Sequence, residues 1–145
     1  MSTPDYEALL LENQLCFPLY ACSREVIKLY RPYLDELGLT YTQYITLIGI
    51  WAEGTGRVRD LGKRLYLDSG TLTPVLKHRE ADGYITRRRC PTDERVLLVT
   101  ITESGLALRD RAADIPGKLG QRVKLDADEA ATLYRLLYKL LETEK

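Results

Sequence analysis

The sequence is poor in the residue types that mark secreted, membrane-spanning and metal-binding proteins. Its 145 residues include three cysteines, an odd number that does not suit a disulfide framework and favours the reducing cytoplasm. The most apolar run, Tyr44 to Trp51, is far shorter than the roughly 18 residues that cross a membrane. Asp5, Glu7 and the lack of a basic stretch near the amino terminus argue against a signal peptide. A lone histidine, His78, is a weak basis for a metal site, so we expect neither a metal nor a cofactor.

Net charge is also absent, because 21 Lys and Arg balance 21 Asp and Glu. This balance argues against indiscriminate binding to polyanions. The distribution is uneven, however: residues 57–95 hold ten basic and six acidic side chains, whereas residues 1–56 hold three and seven. The positive surplus therefore lies where a nucleic-acid-binding element would be expected. The length and the hydrophobic content of 45% suit one globular domain over residues 1–145.

A helix with a polar outer face is predicted between Asp68 and Gly83. Asp68 and Ser69 can accept hydrogen bonds from the first helical turn, and Gly83 marks the stop. Spacings of three and four define an inward stripe of Leu72, Val75, Leu76 and Arg79. The candidate DNA-contacting residues are the capping residue Asp68 and, on the polar face of the helix, Ser69, Thr71, Thr73, Lys77 and His78. A solvated amphipathic helix has the same pattern, so the helix alone does not decide the function.

Two short apolar strands, joined by a polar loop, follow this helix. Ile85 lies in the first and Val96 to Val99 form the second, with an arginine-rich loop between them. Arginine beyond a strand tip suits a narrow minor groove, where the negative potential is strongest. The candidate wing residues are Arg87, Arg89, Asp93 and Arg95, with Asp93 placed to orient the Arg95 guanidinium. Although a charged, soluble hairpin is the alternative, helix and hairpin together predict a winged helix-turn-helix whose DNA-binding lobe is residues 41–101.

Two further helices are predicted within this lobe. The segment that begins at Thr40 is apolar almost all round as far as Trp51, which indicates a buried central helix. Gly54 and Gly56 should end it. Val58 to Leu65 is predicted to be a short helix that precedes the candidate recognition helix.

Amphipathic helices are expected on both sides of the lobe. A helical pattern runs over residues 6–33, and Pro18 should either kink this helix or make it begin near Phe17. Breaks are expected at Arg31-Pro32 and at Gly38. The fold class is therefore mainly α with a small β-hairpin.

After the hairpin, a helix capped by Thr102 is expected to continue past Ile115 until Pro116-Gly117 interrupts it. The last helix should begin after Asp126, with Glu129 at the capping-box position. Its apolar stripe consists of Ala130, Leu133, Tyr134, Leu137, Leu140 and Leu141. Such a stripe needs a partner surface, either within the monomer or in a second copy.

Several segments resemble the MarR family of winged-helix regulators: Leu67–Pro74 (LDSGTLTP), the Gly83–Arg87 exit (GYITR) and Asp93-Glu94-Arg95. Near the amino terminus, Leu11–Phe17 (LENQLCF) is similar to one branch, the organic-hydroperoxide sensors called OhrR. The resemblance spans nearly the whole chain. It implies a homodimer in which residues 6–33 and 102–145 of two subunits entwine, and a palindromic double-stranded DNA operator as partner.

The resemblance also implies that Cys16 is a redox-sensing thiol. A lone cysteine is usually an inert small hydrophobe, but Tyr20 lies one turn further along. Tyr30 and Tyr41 match tyrosines that hydrogen-bond the reactive thiol in this branch, partly from the other subunit. Phenol donors favour thiolate over thiol, and the thiolate is the nucleophile. The implied mechanism is attack on an organic hydroperoxide to give a sulfenic acid, a disulfide formed with a low-molecular-weight thiol, and release of DNA.

The other two cysteines depart from the pattern of this branch. Cys22 lies six residues beyond Cys16, about 9 Å along and about 240° around an unbroken helix, which prevents a bond between them within one chain. Cys90 in the wing is either a second oxidation site or an exposed bystander.

Two other functions stay open at this point. One is a regulator released by reversible binding of a small aromatic ligand. The other is a thiol peroxidase, although no second catalytic residue or resolving pair is visible. We therefore expect a repressor rather than an enzyme.

Overall fold

A computed structural model describes residues 5–142, which form helices around a small sheet. Two short 3-10 helices, Glu7–Leu9 and Leu11–Asn13, come first. The order of the following elements is α1 Cys16–Asp35, α2 Tyr41–Glu53, β1 Thr55–Arg57, α3 Val58–Leu65, α4 Ser69–Ala81, β2 Ile85–Cys90, β3 Asp93–Ile101, α5 Glu103–Ala112, α6 Ile115–Arg122 and α7 Ala127–Glu142. Over these residues, no helix combines the length and the hydropathy needed to cross a bilayer.

Helix α1 begins at Cys16, which confirms the alternative of a start near Phe17. Pro18 is the third residue of the helix, where a backbone N–H would have no intrahelical acceptor, so proline is tolerated there. The predicted break at Pro32 is wrong, because α1 continues to Asp35. Leu34 is 2% exposed, and its burial holds the last turn in place despite the missing N–H. The break at Gly38 is confirmed, and its φ of 69° is one that glycine adopts readily.

Helix α2 is the buried centre of the lobe, as its apolar pattern predicts. A capping box fixes its start: Gln43 N–H donates to the Thr40 hydroxyl, and the Gln43 side chain accepts from Thr40 N–H. Leu47 and Ile50 are 0% and 2% exposed. The helix is also joined to α5, because the Trp51 indole donates to the Gly105 carbonyl oxygen at 2.9 Å.

The sheet has three antiparallel strands in the order β1-β3-β2, so the expectation of a two-stranded hairpin is incomplete. Strand β1 lies between Gly54 and Val58 and pairs Thr55 with Thr100. A hydroxyl contact of 3.0 Å between these threonines supports the pairing. Three residues are too few to show an alternating pattern, which is why the sequence did not reveal this strand.

The arginines of the wing lie in strands and not in the predicted loop: Arg87, Arg88 and Arg89 in β2, and Arg95 in β3. Strand β2 pairs Arg87 with Val99, Arg88 with Leu98 and Arg89 with Leu97. Only Pro91 and Thr92 connect β2 to β3. The apolar partner strand imposes pairing on a segment that is polar by itself.

The break after α5 comes earlier than predicted. Helix α5 ends at Ala112 and α6 begins at Ile115, so Pro116 is the second residue of a new helix and does not interrupt an old one. Proline suits a first turn. The predicted cap of α5 is confirmed, since the Thr102 hydroxyl accepts from Gly105 N–H at 3.1 Å.

The chain divides into two compact units, of which the first ends at Ile115 and the second begins at Pro116. The second unit contains α7, whose capping box joins Asp126 and Glu129 as predicted, at 2.8 and 3.0 Å. None of the residues of α7 is buried. The single domain over residues 1–145 stays a prediction.

Candidate nucleic-acid interface and thiol site

An open cleft of about 1220 Å³ lies between α3, the start of α4 and strand β3. We call it the wing cleft. It brings part of the predicted recognition helix and part of the predicted wing to one surface. Its polar and basic lining residues include Arg57, Arg59, Lys63, Tyr66, Asp68, Ser69, Thr73, Asp93 and Arg95.

Helix α4 presents the polar face that the sequence predicts. The Asp68 carboxylate accepts from Thr71 N–H at 2.8 Å, so Asp68 is the helix cap. On the inner side, Leu72 and Leu76 are 2% and 1% exposed. The candidate contact residues Ser69, Thr71, Lys77 and His78 are exposed, and Thr73 is half-buried.

Arg95 is held in an extended position by Asp93. The Arg95 Nε lies 3.1 Å from Asp93 Oδ1 and its Nη2 lies 3.3 Å from Oδ2, a two-point contact. The Arg95 side chain remains 90% exposed. These hydrogen bonds from Arg95, together with the charge of nearby Arg57, lower the pKa of Asp93. Asp93 therefore stays ionised and orients a guanidinium that solvent, or a ligand in the wing cleft, can reach.

Arg87, another candidate wing residue, is engaged by Glu80 at the end of α4. The Glu80 carboxylate accepts from Arg87 backbone N–H at 3.0 Å, from Nε at 3.2 Å and from Nη2 at 3.0 Å. These bonds lower the pKa of Glu80. The pair joins β2 to α4 and so fixes the wing against the recognition helix, while Arg88 and Arg89 stay exposed.

Sequence reasoning did not single out Glu80, nor the cleft residues Arg57, Arg59, Lys63 and Tyr66. The basic surplus over residues 57–95 was the available signal for the three cations. Tyr66 had no signal of its own, because its backbone conformation, with φ 56°, is visible only in the structure.

Arg79 lies on the inner stripe of α4 and is 6% exposed. Its Nη2 forms an ion pair with Asp82 Oδ2 at 3.0 Å. Its Nε and Nη1 are buried and have no hydrogen-bond partner within the described residues. A buried guanidinium with only part of its donors used opposes folding.

Cys16 is exposed and is the first residue of α1. Tyr20 follows one turn later in the same helix, is 59% exposed, and has the Arg24 guanidinium 5.4 Å from its ring centre. Cys22 is also exposed. Because α1 is unbroken between Cys16 and Cys22, the two sulfurs of one chain are kept apart as predicted.

A cluster of three tyrosines joins α1 to α2. The ring centre of Tyr30 lies 4.9 Å from that of Tyr41 and 5.7 Å from that of Tyr44. Burial raises the pKa of Tyr30 and Tyr41, and raises that of Tyr44 to about 12. All three phenols therefore remain protonated near neutral pH and can donate hydrogen bonds.

One chain does not bring this tyrosine cluster to Cys16. Tyr30 lies fourteen residues beyond Cys16 in α1, which is about 21 Å of helix rise. Tyr41, the first residue of α2, packs on Tyr30. Among the tyrosines that resemblance connects with the thiol, only Tyr20 lies near Cys16 in the same chain.

Large apolar side chains are exposed at both ends of the described chain. Leu9, Leu11 and Leu15 are 76%, 62% and 79% exposed. In α7, Leu133, Tyr134 and Leu140 of the predicted stripe are exposed as well. Such groups of apolar side chains are typical of surfaces that another protein chain covers.

Cys90, at the end of β2, is half-buried, and its sulfur lies 3.3 Å from the Thr92 hydroxyl oxygen. This contact lowers the pKa of the Cys90 thiol. The third cysteine therefore lies at the tip of the wing, at the end of β2.

Comparison with known proteins gives consistent matches. Residues 28–111 match the family model described as transcriptional regulator SarA/Rot. The chain is 49% identical over 138 residues to the organic hydroperoxide resistance transcriptional regulator of Bacillus subtilis, covering 95% of this chain and 94% of that protein.

Solved structures of two other regulators are also similar. Reduced AbfR bound to DNA has a TM-score of 0.79 and 33% identity, covering 94% of this chain and 96% of that one. Overoxidised AbfR bound to DNA has a TM-score of 0.76 and 32% identity, with the same coverage. The reduced form of MarR from E. coli has a TM-score of 0.72 and 31% identity, covering 88% of this chain and 96% of that one.

Proposed function

Because the chain belongs to the MarR family of winged-helix transcriptional regulators, in the branch of the organic hydroperoxide resistance regulators, we propose that it is a DNA-binding repressor that senses organic hydroperoxides. In this proposal Cys16 is the sensing thiol, and its oxidation releases the operator. The observation that carries the DNA-binding part is the wing cleft, where the start of α4 and the Asp93–Arg95 pair face one space.

The two DNA-contacting elements have complementary tasks. The exposed Ser69 and Thr71 of α4, with Lys77 and His78 further along, meet base edges and phosphates in the major groove. The extended Arg95 enters the minor groove beside it. Because Asp93 already holds the guanidinium, less side-chain entropy is lost when Arg95 binds.

The operator is palindromic because the regulator is a homodimer. The exposed leucines before α1 and the apolar stripe of α7 pair with the same segments of a second copy, and a twofold dimer presents two α4 helices to two half-sites.

The dimer also completes the thiol site. Tyr30 lies about 21 Å along α1 from its own Cys16, and Tyr41 packs on Tyr30 from the start of α2. In this proposal both tyrosines therefore serve the Cys16 of the second copy. Their protonated hydroxyls donate to its sulfur and stabilise the thiolate. Tyr20, one turn along α1, completes the set from the same chain.

Oxidation then proceeds in two steps. The Cys16 thiolate attacks the terminal oxygen of the hydroperoxide, the S–O bond forms as the O–O bond breaks, and the organic part leaves as an alcohol after taking up a proton. A low-molecular-weight thiol next condenses with the sulfenic acid, giving a mixed disulfide and water. The bulky product displaces the tyrosines at the dimer interface and changes the spacing of the two α4 helices. A change of a few kcal/mol between the two dimer arrangements alters operator occupancy by orders of magnitude.

The first experiment is a gel-shift titration on the DNA upstream of the protein's own gene, with and without cumene hydroperoxide and a low-molecular-weight thiol. The reduced wild-type protein should bind the operator and should release it when the protein is oxidised. Cys16→Ser should bind and stay bound, while Cys22→Ser, a matched cysteine change in the same helix, should respond as wild type. Release of Cys16→Ser by the peroxide would contradict the redox mechanism. Release of the variant by an added phenol would support reversible ligand binding instead.

A second experiment tests whether the site is shared between copies. Homodimers of Cys16→Ser lack the thiol, and homodimers of Tyr30→Phe/Tyr41→Phe lack two donors. A mixed dimer of the two variants has one complete site only if the tyrosines act on the other chain's thiol. Rapid oxidation of the mixed dimer, measured by mass spectrometry, is therefore expected. Equally slow oxidation of the mixed dimer and of the Tyr30→Phe/Tyr41→Phe homodimer would contradict the shared site.

A further inference from the structure

Tyr66 is the only non-glycine residue among residues 5–142 with a positive φ. It directly follows α3, and its φ of 56° and ψ of 37° are left-handed. This conformation brings the side chain close to its own backbone, costs a non-glycine residue on the order of 1 kcal/mol and strongly favours glycine at the end of a helix.

The turn does not require a tyrosine side chain. The bonds that close it are backbone bonds: Tyr66 N–H donates to the Lys63 carbonyl oxygen at 3.3 Å, and Leu67 N–H donates to the Gly62 carbonyl oxygen at 3.0 Å. Glycine at position 66 would form both. The Tyr66 side chain is 56% exposed, so burial in the core does not explain it either.

The position of Tyr66 supplies a reason for the residue. It lines the wing cleft together with Arg59 and Lys63 of α3 and Ser69 of α4. Arg59, Lys63 and Ser69 are all exposed. The lining of the cleft thus combines an exposed phenol with two cations and the start of α4, and a ligand bound there would meet all of them.

We propose that Tyr66 contacts the DNA backbone, its hydroxyl donating a hydrogen bond to a phosphate oxygen next to the bases that α4 reads. This inference rests on the proposed DNA-binding function and adds an anchoring residue to it. A phosphate contact sets the position of α4 along the duplex and carries no sequence information of its own. Because the phenol is a neutral donor, its contact releases no counterion, unlike a contact made by Arg or Lys.

The test compares Tyr66→Phe, Tyr66→Gly and Arg59→Ala with wild type, in fluorescence-anisotropy titrations of full-length protein at several salt concentrations. The probes are the duplex upstream of the protein's own gene and a scrambled duplex of equal length. Tyr66→Phe, which keeps the ring, should bind both duplexes about five- to tenfold more weakly. Its dependence of affinity on salt should equal that of wild type. Arg59→Ala is the charge control, and the slope of log affinity against log salt should fall by about 1 per subunit, which is about 2 for the proposed dimer, in this variant.

Thermal unfolding separates this role from a structural one. Tyr66→Gly should lose DNA affinity at least as strongly as Tyr66→Phe and should have a Tm equal to or above that of wild type, since glycine relieves the strain. Wild-type affinity in Tyr66→Phe would overturn the inference, and so would a Tm loss of several degrees in Tyr66→Gly. A loss confined to the upstream duplex would overturn the phosphate contact in favour of base readout. A wild-type protein that binds neither duplex would instead overturn the proposed function.

Discussion

Replacing Arg79 by methionine is expected to stabilise the protein. The wild-type side chain is 6% exposed and leaves Nε and Nη1 without partners within the described residues. A buried donor without a partner opposes folding by about 1–3 kcal/mol, and methionine removes both donors while keeping much of the buried volume. Loss of the ion pair with Asp82 offsets little of this gain in stability. Asp82 is 45% exposed, and an ion pair with such a partner contributes on the order of 1 kcal/mol or less. The net gain in the free energy of unfolding is about 1–3 kcal/mol.

The assay is urea unfolding followed by circular dichroism, at one fixed protein concentration for all variants, because the apparent stability of any oligomer depends on concentration. Each kcal/mol should also raise Tm by about 3 °C for a chain of this length. Lys77→Met on the exposed face of the same helix is the stability control and should change the free energy of unfolding by less than about 0.5 kcal/mol. Asp82→Ala should destabilise, since it leaves the buried guanidinium without its anion. If Arg79→Met unfolds more easily than wild type by 1 kcal/mol or more, the reasoning is refuted and the guanidinium contributes to stability.

Three more predictions, one of them with a matched control variant, test other parts of the structure. Hydrogen bonding to Arg87 lowers the pKa of Glu80 from 4.5, so this carboxylate stabilises the fold above about pH 4.5 and stabilises it less as the pH falls below that value. Glu80→Gln should therefore flatten the decline of the free energy of unfolding at acid pH, measured by urea unfolding. The same pH dependence in Glu80→Gln and wild type would contradict the pairing with β2. Gly105→Ala should destabilise the protein by about 1–3 kcal/mol, because the added methyl group would meet a backbone carbonyl and the Ile101 side chain. Gly117→Ala is the control: a methyl group at Gly117 would have no atom within 4 Å, so this variant should be neutral or slightly stabilising in the same assay. Asp126→Ala removes the cap of α7 and should lower stability by about 1 kcal/mol, measured by thermal unfolding; no change would indicate that Glu129 alone fixes the helix start.

The parts of the fold that local chemistry determines could be predicted from the sequence. Helix α3 has its predicted bounds. Helix α4 begins after the Asp68 cap and ends before Gly83, as predicted. In both cases the caps, the glycines and the apolar spacing lie within the element itself. The Asp93–Arg95 pair was predictable for the same reason, since the two residues are only two positions apart in the sequence.

The parts that depend on distant neighbours could not be predicted. Strand β1 and the strand form of Arg87 exist because β3 pairs with them. Pro32 suggested a break by a local rule, but burial of Leu34 continues the helix. The three-bond contact between Glu80 and Arg87 requires the fold to bring α4 to β2.

The candidate thiol site illustrates the same limit. Resemblance connected Tyr30 and Tyr41 with Cys16, but only the length of α1 excludes an arrangement within one chain. Tyr44 joins the cluster through packing alone, and its sequence position had suggested only a core residue.

The pairing of wing arginines with acidic neighbours bears on how long the protein occupies unrelated DNA. Arg87 is matched by Glu80 and Arg95 by Asp93, so the wing carries less uncompensated charge than its arginine content suggests. Sequence-independent affinity grows with the number of cations that displace counterions from the duplex. A regulator with internally balanced cations therefore dissociates quickly from non-cognate sites and spends a larger share of its search at candidate operators.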